Sequence, residues 1–290
     1  MSRFVLENEW IKLEVESFGA EIKSLQRKSD AREYMWCGDK QYWGRTSPVL
    51  FPFVGSVSEG VYRRQGKAYP MGQHGFARDM EFTLVEQSKD TLWFELKSNE
   101  ETLAKYPFDF VLSLGYKLEE KAVHVLWKVF NPSTETMYFS IGGHPAFMCP
   151  ILENTKQTDY YIHFDTDKTL QSDSFEGALM TDDIREYPLT DGYLKIAEDL
   201  FDGDALVMED GQVHEVALCL PDKTPYLTVK FDMPLVGIWS PTKKNAPFIC
   251  IEPWYGRADK KGFVGDLSER EWGNTLKAKE CFEASYVIEV

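Results

Sequence analysis

Residues 248–259 read Phe248-Ile-Cys-Ile-Glu-Pro-Trp-Tyr-Gly-Arg-Ala-Asp259. The first four residues are apolar and partly β-branched, which is typical of a strand buried on both faces. Glu252 follows that run directly. Pro253 removes a backbone donor, so we expect the strand to stop there, and Gly256 favours a tight turn. The segment therefore predicts a buried strand with a carboxylate at its end.

The position of Glu252 bears on its chemistry. A carboxyl group partly removed from water favours its neutral form, and its pKa rises. A general base that works near neutral pH needs such an environment. The alternative is a structural role, in which Glu252 caps the strand and pairs with Arg257 or a nearby lysine. This segment by itself does not decide between the two.

Alternation of apolar and polar residues predicts strands along most of the chain. The apolar positions of the clearest examples are Ile11, Leu13 and Val15; Phe108, Phe110, Leu112, Leu114 and Tyr116; Val123, Val125, Trp127 and Val129; and Leu227, Val229 and Phe231. Residues 285–290 add a further strand. Short strands between Gly, Asn, Asp and Pro residues indicate an antiparallel, all-β architecture. No repeat or linker divides the sequence, so we predict one domain over residues 1–290, a single large antiparallel β-sandwich.

Helical signals are scarce. Residues 98–107 carry a capping box formed by Ser98 and Glu101, and Pro107 marks the end of this predicted helix. Residues 193–201 predict a second short helical turn. Neither segment is long enough to cover a sheet as an α/β fold requires.

The charge balance limits the classes of partner. The 290 residues include 47 acidic and 32 basic ones, a net charge of −15, which argues against nucleic-acid and anionic-membrane partners. A phosphorylated ligand stays open because a few local arginines can bind one. No apolar run approaches the roughly 20 residues that span a bilayer. Acidic residues occupy the N-terminal segment where a signal peptide needs an apolar run, so we expect a cytoplasmic protein.

The five cysteines are odd in number and scattered, with no C-x-x-C pair. They predict neither a disulfide framework nor a zinc site, and most lie in apolar contexts typical of buried thiols. The cysteines are Cys37, Cys149, Cys219, Cys250 and Cys281.

Two of the five histidines stand apart from the others. His124, His163 and His214 lie in regular, polar strand contexts and predict structural or surface roles. His74 lies between Gly72 and Gly75, and His144 follows two glycines and precedes a proline. Such sequences predict constrained backbone at strand ends. Together with a strand-end glutamate they form a candidate catalytic set.

Several reaction classes lack their sequence signatures. There is no G-x-S-x-G, G-x-G-x-x-G, Walker or H-E-x-x-H sequence. We therefore expect neither a serine hydrolase nor a bound nucleotide. Two separated histidines and one glutamate could in principle hold a metal ion, but we predict none.

Four segments together resemble the aldose 1-epimerase (galactose mutarotase) family, and within it a LacX-like subgroup. They are His74-Gly-Phe-Ala-Arg78, Gly142-Gly-His-Pro-Ala-Phe147, Gly237-Ile-Trp-Ser-Pro241 and Cys250-Ile-Glu-Pro-Trp-Tyr-Gly256. The resemblance covers nearly the whole chain. It implies a β-supersandwich with a sugar-binding cleft across one sheet, a small-molecule sugar as partner, and no cofactor.

The resemblance also implies roles. Glu252 would act as general base on the anomeric hydroxyl, and His144 as general acid on the ring oxygen. His74 would hydrogen-bond the ring oxygen or a neighbouring hydroxyl. Asp204 would accept hydrogen bonds from sugar hydroxyls or else simply mark a turn. Trp239 offers an apolar face to the sugar ring or else packs in the core.

The sequence also departs from the family. Galactose mutarotases carry an Asn-Arg pair before the first histidine, and residues 54–60 contain no arginine. Arg45 or Arg78 would replace it. The His-Gly-Phe-Ala-Arg segment also resembles hexose-6-phosphate 1-epimerases, so a free hexose and a hexose phosphate both stay open. A non-catalytic carbohydrate-binding sandwich is the alternative from another class, and the protein would be a monomer or a homodimer.

Overall fold

Antiparallel strands make up most of the computed structural model, which describes residues 2–290. The strands in chain order are β1 (Arg3–Glu7), β2 (Ile11–Glu16), β3 (Glu21–Arg27), β4 (Arg32–Glu33), β5 (Val49–Leu50), β6 (Val61–Arg64), β7 (Lys67–Pro70), β8 (Thr83–Gln87), β9 (Thr91–Lys97), β10 (Val111–Glu119), β11 (Ala122–Phe130), β12 (Met137–Phe139), β13 (Ile141–Gly143), β14 (Ala146–Met148), β15 (Tyr161–Phe164), β16 (Leu170–Glu176), β17 (Leu179–Tyr187), β18 (Tyr193–Lys195), β19 (Leu206–Met208), β20 (Glu215–Cys219), β21 (Pro225–Phe231), β22 (Leu235–Trp239), β23 (Phe248–Tyr255), β24 (Asn274–Leu276) and β25 (Cys281–Glu289).

The helical content is small. Within residues 2–290 the α-helical structure is α1, Glu100–Lys105, and there are four single 3₁₀ turns at Ser58–Gly60, Ala77–Asp79, Gln157–Asp159 and Leu267–Glu269. None of these described helices has the length and apolar character that a membrane crossing requires.

Two large sheets pack against each other. One has nine strands in the order β18-β15-β20-β21-β25-β11-β10-β9-β8, and the other has eight, β17-β16-β19-β22-β23-β13-β5 with β14 paired to β23. A four-stranded sheet, β1-β2-β3-β4, and two two-stranded sheets, β6-β7 and β12-β24, complete the fold. The all-β sandwich predicted from period-two alternation is confirmed.

The main core lies between the two large sheets. It takes Val123 and Val125 from β11, and Ile249 and Ile251 from β23. Because successive side chains of a strand point to opposite faces, the residues between them point the other way. On β23 those residues are Phe248, Cys250, Glu252 and Trp254, and Cys250 and Trp254 belong to separate, smaller clusters. The eight-stranded sheet is therefore buried on both faces at its centre.

The strand end predicted at Pro253 is wrong. β23 continues to Tyr255, with Pro253 opposite Val236 of β22. On the other side, the Ile251 amide donates to Pro145 O, 3.3 Å away, in the short link between β13 and β14. The register of β13, with Gly142 opposite Trp254, places Pro253 beside the end of β13, and pairing with β22 carries β23 past the proline. Glu252 thus lies inside a strand and not at its end.

Two local predictions also need correction. Asn99, not Ser98, caps α1: its Oδ1 accepts from the Thr102 amide at 3.0 Å, and Thr102 Oγ1 accepts from the Asn99 amide at 2.8 Å. Ser98 Oγ instead donates to Asp109, 3.1 Å away. The helical turn predicted over residues 193–201 begins as strand β18, because Tyr193 pairs with His163 of β15.

Candidate active site

A cavity of ≈ 340 Å³ opens on the face of the eight-stranded sheet that points away from the main core. β22 and β23 form its floor, and loops from several parts of the chain form its walls. Its lining residues are Trp43, Arg45, Val54, Gly55, Gln73, His74, Arg78, His144, Phe175, Ala178, Met180, Asp204, Ala205, Trp239, Glu252, Trp254, Arg257 and Ala258.

Glu252 lies at the floor of this cavity and is 2 % exposed. Its place on β23 fixes the carboxylate on the cavity face. Burial, together with the negative charge of Asp204, raises the pKa of Glu252 well above its ordinary value. Oε2 is buried and has no hydrogen-bond partner in the protein. Burial therefore favours the neutral carboxyl group and raises its pKa, as the sequence predicted.

His144 faces Glu252 from the link between β13 and β14. Its Nε2 lies 3.3 Å from Glu252 Oε2, and its backbone amide donates to Pro48 O at 3.1 Å. Nδ1 is buried and has no partner. Burial, and then the positive charge of Arg78, lower the pKa of His144 to about 3. The imidazole is therefore neutral at pH 7.

Aromatic rings hold the His144 imidazole in place. Trp43 stacks on it with ring centroids 4.6 Å apart and an interplanar angle of 25°. Trp239 meets it edge-on at 5.5 Å. A catalytic histidine is usually oriented by a hydrogen bond to its second nitrogen. In this protein the contacts with Trp43 and Trp239 orient the His144 ring instead.

His74 presents one nitrogen to the cavity in a defined protonation state. Its φ of +66° lies in the left-handed region, and its amide donates to Gly55 O at 2.8 Å. The Gly55 amide in turn donates to His74 Nδ1 at 3.0 Å. Burial, and then the repulsion that a protonated His74 would meet from a protonated His144, lower the pKa of His74 well below its usual range. Since Nδ1 accepts, the proton of the neutral ring lies on Nε2, which makes Nε2 a hydrogen-bond donor.

Three arginines line the cavity with different partners. Arg45 pairs with Asp79 at 2.8 Å, and Arg257 pairs with both Glu209 and Glu271. Arg78 donates from Nη2 to Gln73 O at 2.8 Å and reaches Asp79 only at 3.8 Å. Burial lowers the pKa of Arg78 to about 10. The structural alternative in which Arg257 pairs with Glu252 is therefore wrong.

Several polar atoms of the cavity wall lack a protein partner. Glu252 Oε2, His144 Nδ1, Trp254 Nε1 and Arg78 Nε are all buried and unpaired among the residues described. Buried polar groups normally have hydrogen-bond partners. Their concentration here leaves the cavity wall with hydrogen-bonding capacity for a polar ligand.

Two residues that line the cavity and one that is buried beside them have the donor atoms of a metal site. His144, Cys250 and Glu252 each place one nitrogen, sulfur or oxygen within 4.8 Å of the others. In residues 2–290 no second group of three such side chains comes this close.

The sequence and the whole fold resemble those of known proteins. The family model described as "Aldose 1-epimerase" matches residues 2–288. The chain belongs to the aldose 1-epimerase family. It is accordingly an isomerase of the mutarotase type, and the alternative of a non-catalytic carbohydrate-binding sandwich loses its support.

Relatives of the aldose 1-epimerase family agree with this assignment. Protein LacX of Lactococcus lactis subsp. lactis, in its plasmid form, is 34 % identical over 261 residues, 87 % of either chain. A galactose mutarotase related enzyme from Lactobacillus acidophilus superposes with a TM-score of 0.94 at 35 % identity, over 99 % of this chain and 97 % of the other. A galactose mutarotase-like protein from Lactobacillus casei gives 0.93 at 32 % identity, over 99 % of each chain. The LacX-like resemblance is confirmed.

The structure brings all the predicted site residues to one cavity, while their roles stay predictions. The set is His144, Glu252, His74, Arg78, Arg45, Asp204 and Trp239. In the described part of the chain, the cavity walls do not include His124, His163 or His214. The sequence reasoning missed Trp43, although an aromatic residue two positions before Arg45 in a Gly- and Ser-containing loop was a usable signal.

Proposed function

We propose that this isomerase interconverts the α and β anomers of an aldohexose, with Glu252 as general base and His144 as general acid. The observation that carries the proposal is the pair itself. A carboxylate oxygen and an imidazole nitrogen lie 3.3 Å apart in a buried cavity floor, both with free hydrogen-bonding capacity toward a ligand. Ring opening needs one proton removed from O1 and one delivered to the ring oxygen.

The proton count of the pair fits this reaction. A neutral carboxyl beside a neutral imidazole holds the same single proton as a carboxylate beside an imidazolium. The two forms interconvert by moving that proton across 3.3 Å, and they titrate as one unit. In the second form, Glu252 accepts the O1 proton while His144 protonates the ring oxygen. The open-chain aldehyde then turns about C1–C2, and the same two groups close the ring in reverse.

The other residues of the cavity would hold the sugar. His74 Nε2–H would donate to the ring oxygen or a neighbouring hydroxyl, and Asp204 would accept from hydroxyls. Trp239, half-buried at the end of β22, would cover an apolar face of the ring. These contacts position C1 against the acid–base pair.

The charges of the cavity favour an unphosphorylated aldohexose. Arg45 and Arg257 are already paired with carboxylates, and Asp204 and Glu252 add acidic groups to the same walls. A phosphate dianion needs clustered, unpaired cations. Two relatives named as galactose mutarotase related or galactose mutarotase-like make galactose the first substrate to test.

A hexose 6-phosphate is the second candidate. Arg78 has a buried, unpaired Nε, and Arg45 lines the same cavity. If a phosphate displaced Asp79 from Arg45, both guanidinium groups would become available to it. Hexose 6-phosphates are therefore included among the sugars to be assayed.

Polarimetry or exchange NMR on fresh α-galactose, α-glucose and their 6-phosphates tests the proposal. We expect the wild-type protein to accelerate equilibration of an unphosphorylated sugar. Positioned acids and bases each contribute about 10²–10⁴-fold, so Glu252→Gln and His144→Asn each lose about that factor.

The matched control is His124→Asn, because His124 is half-buried on β11 and outside the cavity. Its rates are expected to equal those of the wild-type protein. Equal losses in His124→Asn and His144→Asn, or a loss of only a few-fold in Glu252→Gln, contradict the assigned roles. Acceleration of the 6-phosphates alone selects the second candidate.

We further propose that residues 1–290 form one domain and that the protein is cytoplasmic. One buried cluster takes residues from Leu6 through Ile288, which supports the first statement. All five cysteines are free, three of them buried, which supports a reducing compartment.

A further inference from the structure

Cys250 lies beside the proposed acid–base pair but has no part in the proposed reaction. It is fully buried on β23, two residues before Glu252, and therefore shares its face of the sheet. Its Sγ, one His144 nitrogen and one Glu252 oxygen lie within 4.8 Å of one another. Thiol, imidazole and carboxyl are the donor types that bind zinc in proteins.

The distances suit a tetrahedral ion. With metal–nitrogen and metal–oxygen bonds of about 2.0 Å, two donors of a tetrahedron lie roughly 3.3 Å apart, and a sulfur donor lies roughly 3.5 Å from either. His144 Nε2 and Glu252 Oε2 are already 3.3 Å apart. Cys250 Sγ needs to approach by about 1.3 Å at most, through rotation of its side chain and of the Glu252 and His144 side chains.

The ligand atoms are also available. Glu252 Oε2 is buried without a hydrogen-bond partner, and Glu252 as a whole is 2 % exposed. Glu252 and His144 line the cavity, so an ion reaches them from the open side, where the fourth coordination position would also lie. Buried donors that are pre-placed and unpaired lose little on binding a cation.

We propose that His144, Cys250 and Glu252 form an inhibitory site for a borderline-soft divalent cation, with Zn²⁺ as the representative ion. Binding replaces the Cys250 thiol proton, and any proton on Glu252, by the metal, and these protons pass to solvent. His144 binds through a ring-nitrogen lone pair. No oxidation or reduction takes place. The thiolate ligand selects against Mg²⁺ and Ca²⁺, which take oxygen ligands.

The inhibition rests on the proposed function, whereas the binding does not. With its oxygen on the metal, Glu252 cannot accept the O1 proton, and His144 cannot protonate the ring oxygen. Mutarotation would stop while the fold stays intact. A sugar in the cavity would compete with the ion for the same two side chains.

The test titrates the purified protein with Co²⁺ and records thiolate-to-cobalt charge-transfer and tetrahedral d–d absorption, followed by displacement with Zn²⁺. We expect these bands in the wild-type protein and their loss in Cys250→Ala and Cys250→Ser. Cys149→Ala is the matched control, since Cys149 is equally buried but belongs to no such group of donors. Two replacements of Cys250 guard against a failure of either one to fold.

The activity measurement runs in parallel. We expect Zn²⁺ to inhibit wild-type mutarotation, Cys250→Ser to keep activity and lose that sensitivity, and Mg²⁺ to have no effect. No cobalt bands in the folded wild-type protein, or bands that persist in both Cys250 variants, overturn the metal site. Bands that depend on Cys250 in a protein without mutarotase activity support the site and overturn the proposed function instead.

Discussion

His144 is unusual among candidate catalytic histidines because its orientation depends on rings. Its Nδ1 has no hydrogen-bond partner, while Trp43 covers one face of the imidazole and Trp239 meets its edge. The face of an indole also attracts a cation. Trp43 thus positions His144 and stabilises its protonated form, which opposes the lowering of its pKa by burial.

Replacement of Trp43 tests this arrangement. Aromatic pairs contribute about 0.5–1.5 kcal/mol beyond buried area, so Trp43→Leu is expected to lower kcat of mutarotation roughly 2- to 12-fold. Trp43→Phe keeps a π face and is expected to recover most of the rate. Stopped-flow polarimetry measures kcat, and thermal unfolding reports the fold.

Trp10→Leu is the control, because Trp10 is 42 % exposed and remote from the cavity. If Trp43→Phe is as slow as Trp43→Leu, or if kcat does not change in either, the positioning role is wrong.

For single residues, the sequence predicted which side chains line the cavity but not how they contact one another. All seven proposed site residues line the cavity, and five of them belong to the four recognisable segments, Arg45 and Asp204 being the exceptions. Trp43 lies outside those segments, and its contact with His144 joins loops that are about a hundred residues apart. The periodicity and spacing of residues in the sequence indicate local structure. A contact between distant loops, such as that of Trp43 with His144, depends on the completed fold.

Among the elements, β23 and the two strands beside it pack around the indole ring of Trp254. Trp254 lies between β22 and β13, opposite Leu235 and Gly142. A Cβ at Gly142 would lie 2.4 Å from Trp254 Cδ1, and a Cβ at Gly237 would lie 2.4 Å from Trp254 Cη2. The glycines on both neighbouring strands thus make room for the indole that forms part of the cavity floor.

Gly237→Ala tests this packing. The added methyl group overlaps the Trp254 ring, and overpacking of this kind typically destabilises a protein by about 1–3 kcal/mol. We expect a lower urea midpoint for unfolding and slower mutarotation, because a displaced indole narrows the cavity.

Gly72→Ala is the control, since a Cβ there meets nothing within 4 Å. A Gly237→Ala protein as stable as the wild type would show that Trp254 moves aside freely.

Element boundaries were predictable where a strand's own pattern sets them. The alternation of apolar and polar residues predicted strands β2, β11 and β21 because each of them buries one face. Pro253 misled because the rule that proline ends a strand takes no account of the neighbouring strands, and here β22 pairs with β23 on both sides of the proline. Asn99 caps α1 in place of Ser98, because the Ser98 hydroxyl donates its hydrogen bond to Asp109 instead.

For the whole molecule, the main core and the candidate site lie on opposite faces of the eight-stranded sheet. Ile251 contributes to the first and Glu252 to the second, although they are adjacent. Burial that raises the pKa of a carboxyl group penalises its ionised form in the folded state, so stability falls as pH rises above the pKa of the unfolded group. The site therefore lowers the stability of the fold at neutral and alkaline pH.

The pH dependence of unfolding measures this effect. Unfolded Glu252 ionises near its ordinary pKa of 4.5, and the folded carboxyl keeps its proton to higher pH. Between the two pKa values the folded state binds more protons, so wild-type stability falls as pH rises. Glu252→Gln lacks this proton. We expect its unfolding free energy to exceed that of the wild type by an amount that grows with pH above 4.5 and levels off past the folded pKa.

Urea unfolding over a series of pH values provides the comparison, with Glu153→Gln as the control because Glu153 is an exposed carboxyl. A stability difference between wild type and Glu252→Gln that stays constant with pH contradicts a raised pKa for Glu252.

The order of strands in the nine-stranded sheet has a consequence for biosynthesis. β25 lies between β21 and β11, so it joins two four-stranded halves that otherwise have no hydrogen bonds to each other in this sheet. The ribosome makes β25 after all eight of those strands. Until it emerges, each half presents a long unpaired inner edge, the kind of surface that invites pairing with other chains. The nascent protein therefore depends on shielding of these edges until its final sheet strand arrives.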